Sequence, residues 1–326
     1  MNATSATSWA ANAQQVGVVG AGTMGEGIAQ SFAEAGLHVR LIDVSVAALE
    51  RCTRQIGQNL SLALQYGLPG EDVARVLSRI ESIACSEPSK ELSAADMVIE
   101  TVPEILELKR NLFAQLDALP ADVLLGSNTS SMTMTSVCAE MNTPERVVGL
   151  HYFNPAHLIP TVEIHRGERT SEQSVERARA ILLRSGKVPM LIRKEIPGFV
   201  INRLTGALMR EIYHLLELGV VSPEELDAGV RSSLGFRMSQ IGPLESADFT
   251  GLDVGVRVVS ALLPLLSNRT EPPQALLDRV ARGDLGIKTG RGWLDHQNRA
   301  RDDLLNERNI KLLTQLKATR LGPGKS

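Results

Sequence analysis

Apolar and polar positions follow two rhythms along this chain, and the change between them divides it. Short apolar runs at 16–19, 38–43, 97–99, 123–125, 147–150, 162–164 and 188–192 predict strands. Between them, apolar residues recur at helical spacing over 23–35, 46–65, 71–77, 106–116 and 175–185. Ile28, Ala29, Phe32 and Ala33 share one face of the first helix, and Gly36 supplies a left-handed stop. Gly67-Leu68-Pro69-Gly70 separates 46–65 from 71–77, which predicts a helical hairpin. Strands alternating with helices predict a doubly wound α/β domain with right-handed crossovers. At Lys194-Glu195-Ile196-Pro197-Gly198 the rhythm changes: 199–218, 223–234, 250–266, 273–282 and 301–319 are all helical in period, with no strand expected. The expected organisation is a flexible tail at 1–15, an α/β domain at 16–196 and an all-α domain at 197–326.

Composition removes several function classes. Apolar residues make up 43% and charged residues 22% of the chain, the balance of a packed soluble protein. Aromatic residues amount to 3% and the net charge is −3, which argues against a base-stacking nucleic-acid platform and a basic membrane-surface binder. No apolar run reaches the ~20 residues of a bilayer span. Residues 1–15 are rich in Ala, Ser, Thr and Asn and lack the basic and apolar regions of a signal peptide. Cys52, Cys85 and Cys138 have no metal-ligand spacing and suit a reducing, cytoplasmic setting, so no metal site is expected.

Chemistry enters at Gly20-Ala21-Gly22-Thr23-Met24-Gly25, which follows the first strand and opens the first helix. In such a loop Gly20 permits the tight turn, Gly22 lets a pyrophosphate approach the backbone, and Gly25 lets the helix pack on the sheet. The helix N-terminus, with Thr23 and Met24, offers N–H groups and a positive dipole end to the phosphates. Asp43 follows Gly25 by 18 residues and ends the second strand. Its carboxylate would accept from ribose hydroxyls and repel a 2′-phosphate by roughly 4 kcal/mol at about 4 Å and an effective dielectric of ~20. The expectation is a Rossmann-type domain that binds NAD.

Seven stretches, in order, resemble the L-3-hydroxyacyl-CoA dehydrogenase family: GAGTMGEGIA at 20–29, DMVIETVPE at 96–104, SNTSSM at 127–132, GLHYFNPAHLIPTVEI at 149–164, PGFVINRL at 197–204, GPLESADFTGLD at 242–253 and GIKTGRGW at 286–293. The resemblance implies an NAD-dependent dehydrogenase of fatty acid metabolism, a homodimer built by the helical domain. It implies His151 as the catalytic histidine and Glu163 as its carboxylate partner. Ser130, Asn154 and Asn202 would meet the substrate, with Ser130 and Asn202 at its oxygen. Glu104, Lys109 and Asn128 would stand on the nicotinamide side of the cofactor site.

Oxidising an alcohol requires a base for the hydroxyl proton, and an imidazole with a carboxylate behind it suits that task. Taken singly, the same residues have plainer readings. His151 is a strand-end histidine, Glu163 a strand charge, Ser130 a helix cap, and Lys109 a helix charge paired with Glu104 or Glu107. His38, His157, His165, His214 and His296 receive no role. The leading substrate is a short-chain L-3-hydroxyacyl-CoA. Ser78, however, stands near the position where CoA-using relatives carry a lysine. The hairpin's Arg51, Arg54, Arg75 and Arg79 are nearly balanced by Glu50, Glu71, Asp72 and Glu81. Ile159-Pro160 resembles relatives that act on small free acids or related alcohols, the gulonate, carnitine and pyridine-carboxylate dehydrogenases, and Leu266-Ser267-Asn268-Arg269 followed by Gly286-Ile287-Lys288 resembles the last of these most. A free acid is therefore the alternative substrate. A non-catalytic, crystallin-like NAD-binding protein is the reading of another class.

Overall fold

A computed structural model describes residues 3–320. They fall into two units, one formed by residues up to Val200 together with those from Arg308 onward, the other by Ile201–Glu307.

The first unit is built on β1 (Gln15–Val19), β2 (His38–Asp43), β3 (Ile80–Ala84), β4 (Met97–Glu100), β5 (Leu124–Ser127), β6 (Val147–Tyr152), β7 (Thr161–His165) and β8 (Val188–Ile192). They form one sheet in the order β3-β2-β1-β4-β5-β6-β7-β8. Neighbours pair in parallel except β6 and β7, which are antiparallel. The chain order reverses between β1 and β4, the switch point where such sheets open a ligand crevice at their strand ends. Alternate residues of the central strands enter opposite core layers. Val16, Val18, Met97 and Ile99 pack with Ile28, Ile56 and Ala178, whereas Val98 and Leu125 pack with Phe113 and Val137. Burial on both faces explains the continuous apolar runs.

Helices α1 (Ala3–Asn12), α2 (Thr23–Glu34), α3 (Val46–Gln65), α4 (Val73–Leu77), α5 (Pro88–Glu91), α6 (Leu106–Leu116), α7 (Met134–Val137) and α8 (Glu172–Arg184) complete this unit. The α3–α4 hairpin is punctuated as the sequence implies, with Ser45 capping α3 through the Ala48 N–H and Asp72 capping α4 through Ala74 and Arg75.

Three expectations need correction. Residues 3–12 are a helix rather than a flexible tail; residues 1–2 lie outside the described residues. Ala6, Ala10 and Ala13 are buried, and Arg184 donates to the Ala10 and Ala13 carbonyls at 2.6 and 2.7 Å. Arg177 also lies over the Trp9 ring at 5.2 Å. A small-residue face with an arginine closing its end reads in composition like a frayed segment. Strand β3 was not expected either, because it is an edge strand whose residues are half-buried or exposed, and it carries no apolar run. Finally, the helical C-terminal stretch does not belong wholly to the second unit. From Arg308 onward α15 (Arg301–Arg320) joins the first, burying Leu313 and Leu316 with Leu68 and Leu158.

The second unit contains α9 (Ile201–Glu217), α10 (Pro223–Val230), α11 (Phe236–Met238), α12 (Pro243–Thr250), α13 (Leu252–Leu262) and α14 (Gln274–Ala281). None of its residues is buried. Leu244, Phe236 and Phe249 are 81, 76 and 77% exposed. No helix among the described residues is long and apolar enough to cross a membrane.

Candidate active site

Gly20 and Gly25 of the glycine loop are sterically required, whereas Gly22 is left open. Gly20 has φ 112°, and a Cβ there would lie 2.7 Å from Thr101 Oγ1. A Cβ on Gly25 would lie 1.8 Å from the Gly20 carbonyl oxygen. A Cβ on Gly22 would meet nothing within 4 Å. Gly22 is also the N-cap of α2, and the first N–H groups of the helix receive no side-chain cap from it. Thr23 is exposed and Met24 half-buried at that mouth. Asp43 accepts from the Ala21 N–H at 2.8 Å and from the Ser45 N–H at 2.9 Å. It thereby ties the end of β2 to the loop while its remaining lone pairs stay available. Uncapped amides beside a bare glycine, with a carboxylate at the second strand end, fit a dinucleotide whose ribose keeps its 2′-hydroxyl.

Thr101, which sequence reasoning passed over, locks this loop. Its hydroxyl lies 2.9 Å from the Gly20 carbonyl and 3.1 Å from that of Val19. The signal was a small polar residue just after β4, the strand that adjoins β1 and its glycine loop.

The register of the antiparallel pair places His151 directly opposite Glu163. Nδ1 of His151 stands 2.7 Å from Oε2 of Glu163, with the carboxylate fully buried and the imidazole 5% exposed. Glu163 Oε1 accepts from the Val200 N–H at 3.0 Å. Phe153 and Phe199 flank the imidazole, with centroids at 4.5 and 5.4 Å.

Between β4 and β5 a second polar network shapes the serine loop. Glu104 Oε1 accepts from the Thr129 hydroxyl at 2.5 Å and from the N–H groups of Ser130 and Ser131 at 2.9 and 3.1 Å. Partial burial would raise the Glu104 pKa, but these hydrogen bonds and the Lys109 charge outweigh it and hold the group at about 2. The Ser130 side chain is exposed, and its hydroxyl approaches Glu104 at 3.4 Å. Asn128 uses its carbonyl oxygen to accept from the Tyr152 N–H at 2.9 Å, joining this loop to the end of β6.

Lys109, expected on the nicotinamide side, is 1% exposed, with Nζ 2.6 Å from Glu100 and 3.2 Å from Glu104. Glu100 was the unnoticed partner, an acid ending an apolar strand nine residues before the lysine; burial pushes its pKa up. Asn154 is exposed in the turn after β6, and Asn202 is exposed in the first turn of α9, in the second unit. Within the hairpin, Arg79 makes a paired contact with Glu71 at 2.7 and 2.8 Å and also donates to the Ala33 carbonyl. Arg75 pairs with the same Glu71 at 2.9 Å.

Comparison with known proteins agrees with this geometry. The family model described as 3-hydroxyacyl-CoA dehydrogenase, NAD binding domain, matches residues 15–196. The model described as 3-hydroxyacyl-CoA dehydrogenase, C-terminal domain, matches residues 198–296. A 5-formyl-3-hydroxy-2-methylpyridine 4-carboxylate 5-dehydrogenase of Mesorhizobium japonicum is 35% identical over 303 residues, covering 92% of this chain and 96% of its own. A probable 3-hydroxybutyryl-CoA dehydrogenase of Bacillus subtilis is 35% identical over 288 residues, covering 88% and 98%. A crystal structure of a 5-formyl-3-hydroxy-2-methylpyridine 4-carboxylic acid 5-dehydrogenase, described as an NAD⁺-dependent dismutase, has a TM-score of 0.86 at 34% identity, covering 95% of this chain and 99% of its own.

Proposed function

Because the chain belongs to the 3-hydroxyacyl-CoA dehydrogenase family, we propose that its His151–Glu163 pair moves the hydroxyl proton of a small, free hydroxy acid. The enzyme is an NAD-dependent dehydrogenase acting on a CH–OH group. Bound NAD supplies the two-electron acceptor that takes hydrogen from the alcohol carbon. The chain's own part is proton transfer and orientation. Nδ1 of His151 faces the Glu163 carboxylate, which leaves Nε2 as the nitrogen for the substrate hydroxyl. The carboxylate fixes that tautomer and stabilises the imidazolium formed when the proton arrives. In the reverse direction His151 returns the proton. Ser130 and Asn154 contribute substrate contacts in this reading, and Glu104, held by Lys109, serves with Asn128 at the nicotinamide side. The buried dyad is the observation that carries the reading. It weighs against a non-catalytic binding protein.

The choice of a free acid rests on the hairpin's charges. Arg75 and Arg79 are both committed to Glu71, which leaves Arg51 and Arg54 as the hairpin's remaining arginines for CoA phosphates. The similarity to a pyridine-carboxylate dehydrogenase over nearly the whole of both chains supports the same choice. A short-chain L-3-hydroxyacyl-CoA is the second reading, favoured by the 3-hydroxybutyryl-CoA dehydrogenase relatives. The apolar residues exposed on the second unit support a homodimer formed there. Three free cysteines, with burial pushing the Cys52 and Cys138 thiols up to about 12, suit a cytoplasmic enzyme. The test is kcat/KM with NADH for acetoacetyl-CoA against acetoacetate and a formylpyridine carboxylate, at low and high salt. The proposal expects no thioester advantage that salt weakens. A large, salt-sensitive advantage for acetoacetyl-CoA would establish the second reading instead.

A further inference from the structure

His165 is a buried imidazole that its surroundings do not use as a polar group. It lies on β7 directly across from Gly149 of β6. It is fully buried, and neither ring nitrogen has a hydrogen-bond partner. Burial, with the nearby His151 adding to it against the opposing Glu163, pushes its pKa down to about 3, so the ring is neutral at ordinary pH. A Cβ on residue 149 would lie 1.9 Å from the His165 ring, so the imidazole rests on bare glycine backbone. The ring also stacks on Phe199, with centroids 4.0 Å apart and planes at 30°.

Phe199 needs such support. It is fully buried and has φ 52°, a left-handed conformation that bulky side chains rarely adopt and that persists only where the surroundings enforce it. Its ring borders His151 at 5.4 Å. The next residue, Val200, donates its N–H to the Glu163 oxygen that does not face His151. One turn therefore touches both members of the dyad, and His165 is the flat side chain beneath it. Of the ring-bearing side chains that stack, imidazole is the smallest, which suits the space above Gly149.

We propose that His165 is a positioning residue: seated on Gly149, it holds Phe199 against His151 and the Val200 amide on Glu163, and so sets the geometry of the dyad. This rests on reading His151 and Glu163 as the proton-moving pair, but the coupling itself is readable without turnover. In the full chain labelled with ¹⁵N-histidine, NMR follows the His151 ring nitrogens through a pH titration in wild type, His165→Ala and Phe199→Leu. Both variants should alter the His151 tautomer signature and move its titration curve by about half a pH unit or more. On the best substrate of the panel, kcat should fall about 10-fold or more, with the KM for NAD changing less than about 2-fold. A folded His165→Ala protein with a lower Tm but an unchanged His151 titration and kcat would overturn the proposal, leaving His165 as filler. If His165→Ala does not fold, Phe199→Leu decides by the same two readouts. If no panel substrate turns over, both proposed substrate classes fail while the NMR result still judges the coupling.

Discussion

Nδ1 of His151 and Oε2 of Glu163 meet at 2.7 Å because β6 and β7 pair in a register that sets the two residues directly opposite each other. Glu163→Gln preserves the shape and removes the charge. It should lower kcat by about 10²–10⁴-fold and displace the pH–rate profile, since the imidazolium loses its counter-charge. A steady-state pH series of both proteins checks this.

Asp43 holds the Ala21 and Ser45 amides, and it is the residue proposed to accept from the adenosine ribose. NADH should therefore bind much more tightly than NADPH, and Asp43→Ala should narrow the ratio. Loss of the loop anchor should cost some NADH affinity as well. Titration of both nucleotides by fluorescence tests this, and equal wild-type affinities would remove Asp43 from its assigned role.

Acid should destabilise the protein in a defined order. Burial holds His157 and His165 at about 3, against 6.5 for a free histidine. The unfolded state therefore binds more protons between those values. Stability is full above pH ~6.5 and is lost as pH falls toward ~3, at about 1.4 kcal/mol per pH unit for each histidine. Glu104, at about 2 against 4.5, adds a loss below pH ~4.5. Urea midpoints at several pH values should fall accordingly, and His157→Leu should flatten the upper part of the slope. A midpoint that stays constant between pH ~6.5 and ~5 would contradict the buried neutral histidines.

The second unit, with no buried residue of its own and with Phe236, Phe249 and Leu244 exposed, should be covered by a second copy of the chain. Sedimentation should give roughly twice the 35.2 kDa chain mass at micromolar concentration. Leu244→Glu together with Phe249→Glu should shift the species toward monomer. A wild-type protein that sediments at the chain mass would contradict the arrangement.

Part of the candidate site was legible because its residues sit at punctuation points: the glycine loop and Asp43 at a strand end are local signals. His151 and Glu163 stand out only through the family resemblance of the motif that holds them, since each alone reads as an ordinary strand residue. What was hidden depends on residues brought together from afar. Lys109 reads as a surface helix charge until β4 places Glu100 beneath it. His165 reads as a spare histidine until Gly149 and Phe199 close around it. Helix α1 reads as a tail until Arg184 closes its carbonyl end, and β3 carries no apolar run because it lies at the sheet edge.

Proton transfer by His151 is tested most directly by NADH turnover of His151→Ala on the best substrate of the panel, beside its NADH affinity. The predicted result is a fall in kcat of about 10²–10⁴-fold with NADH binding nearly unchanged. Turnover at the wild-type rate in that variant would contradict it.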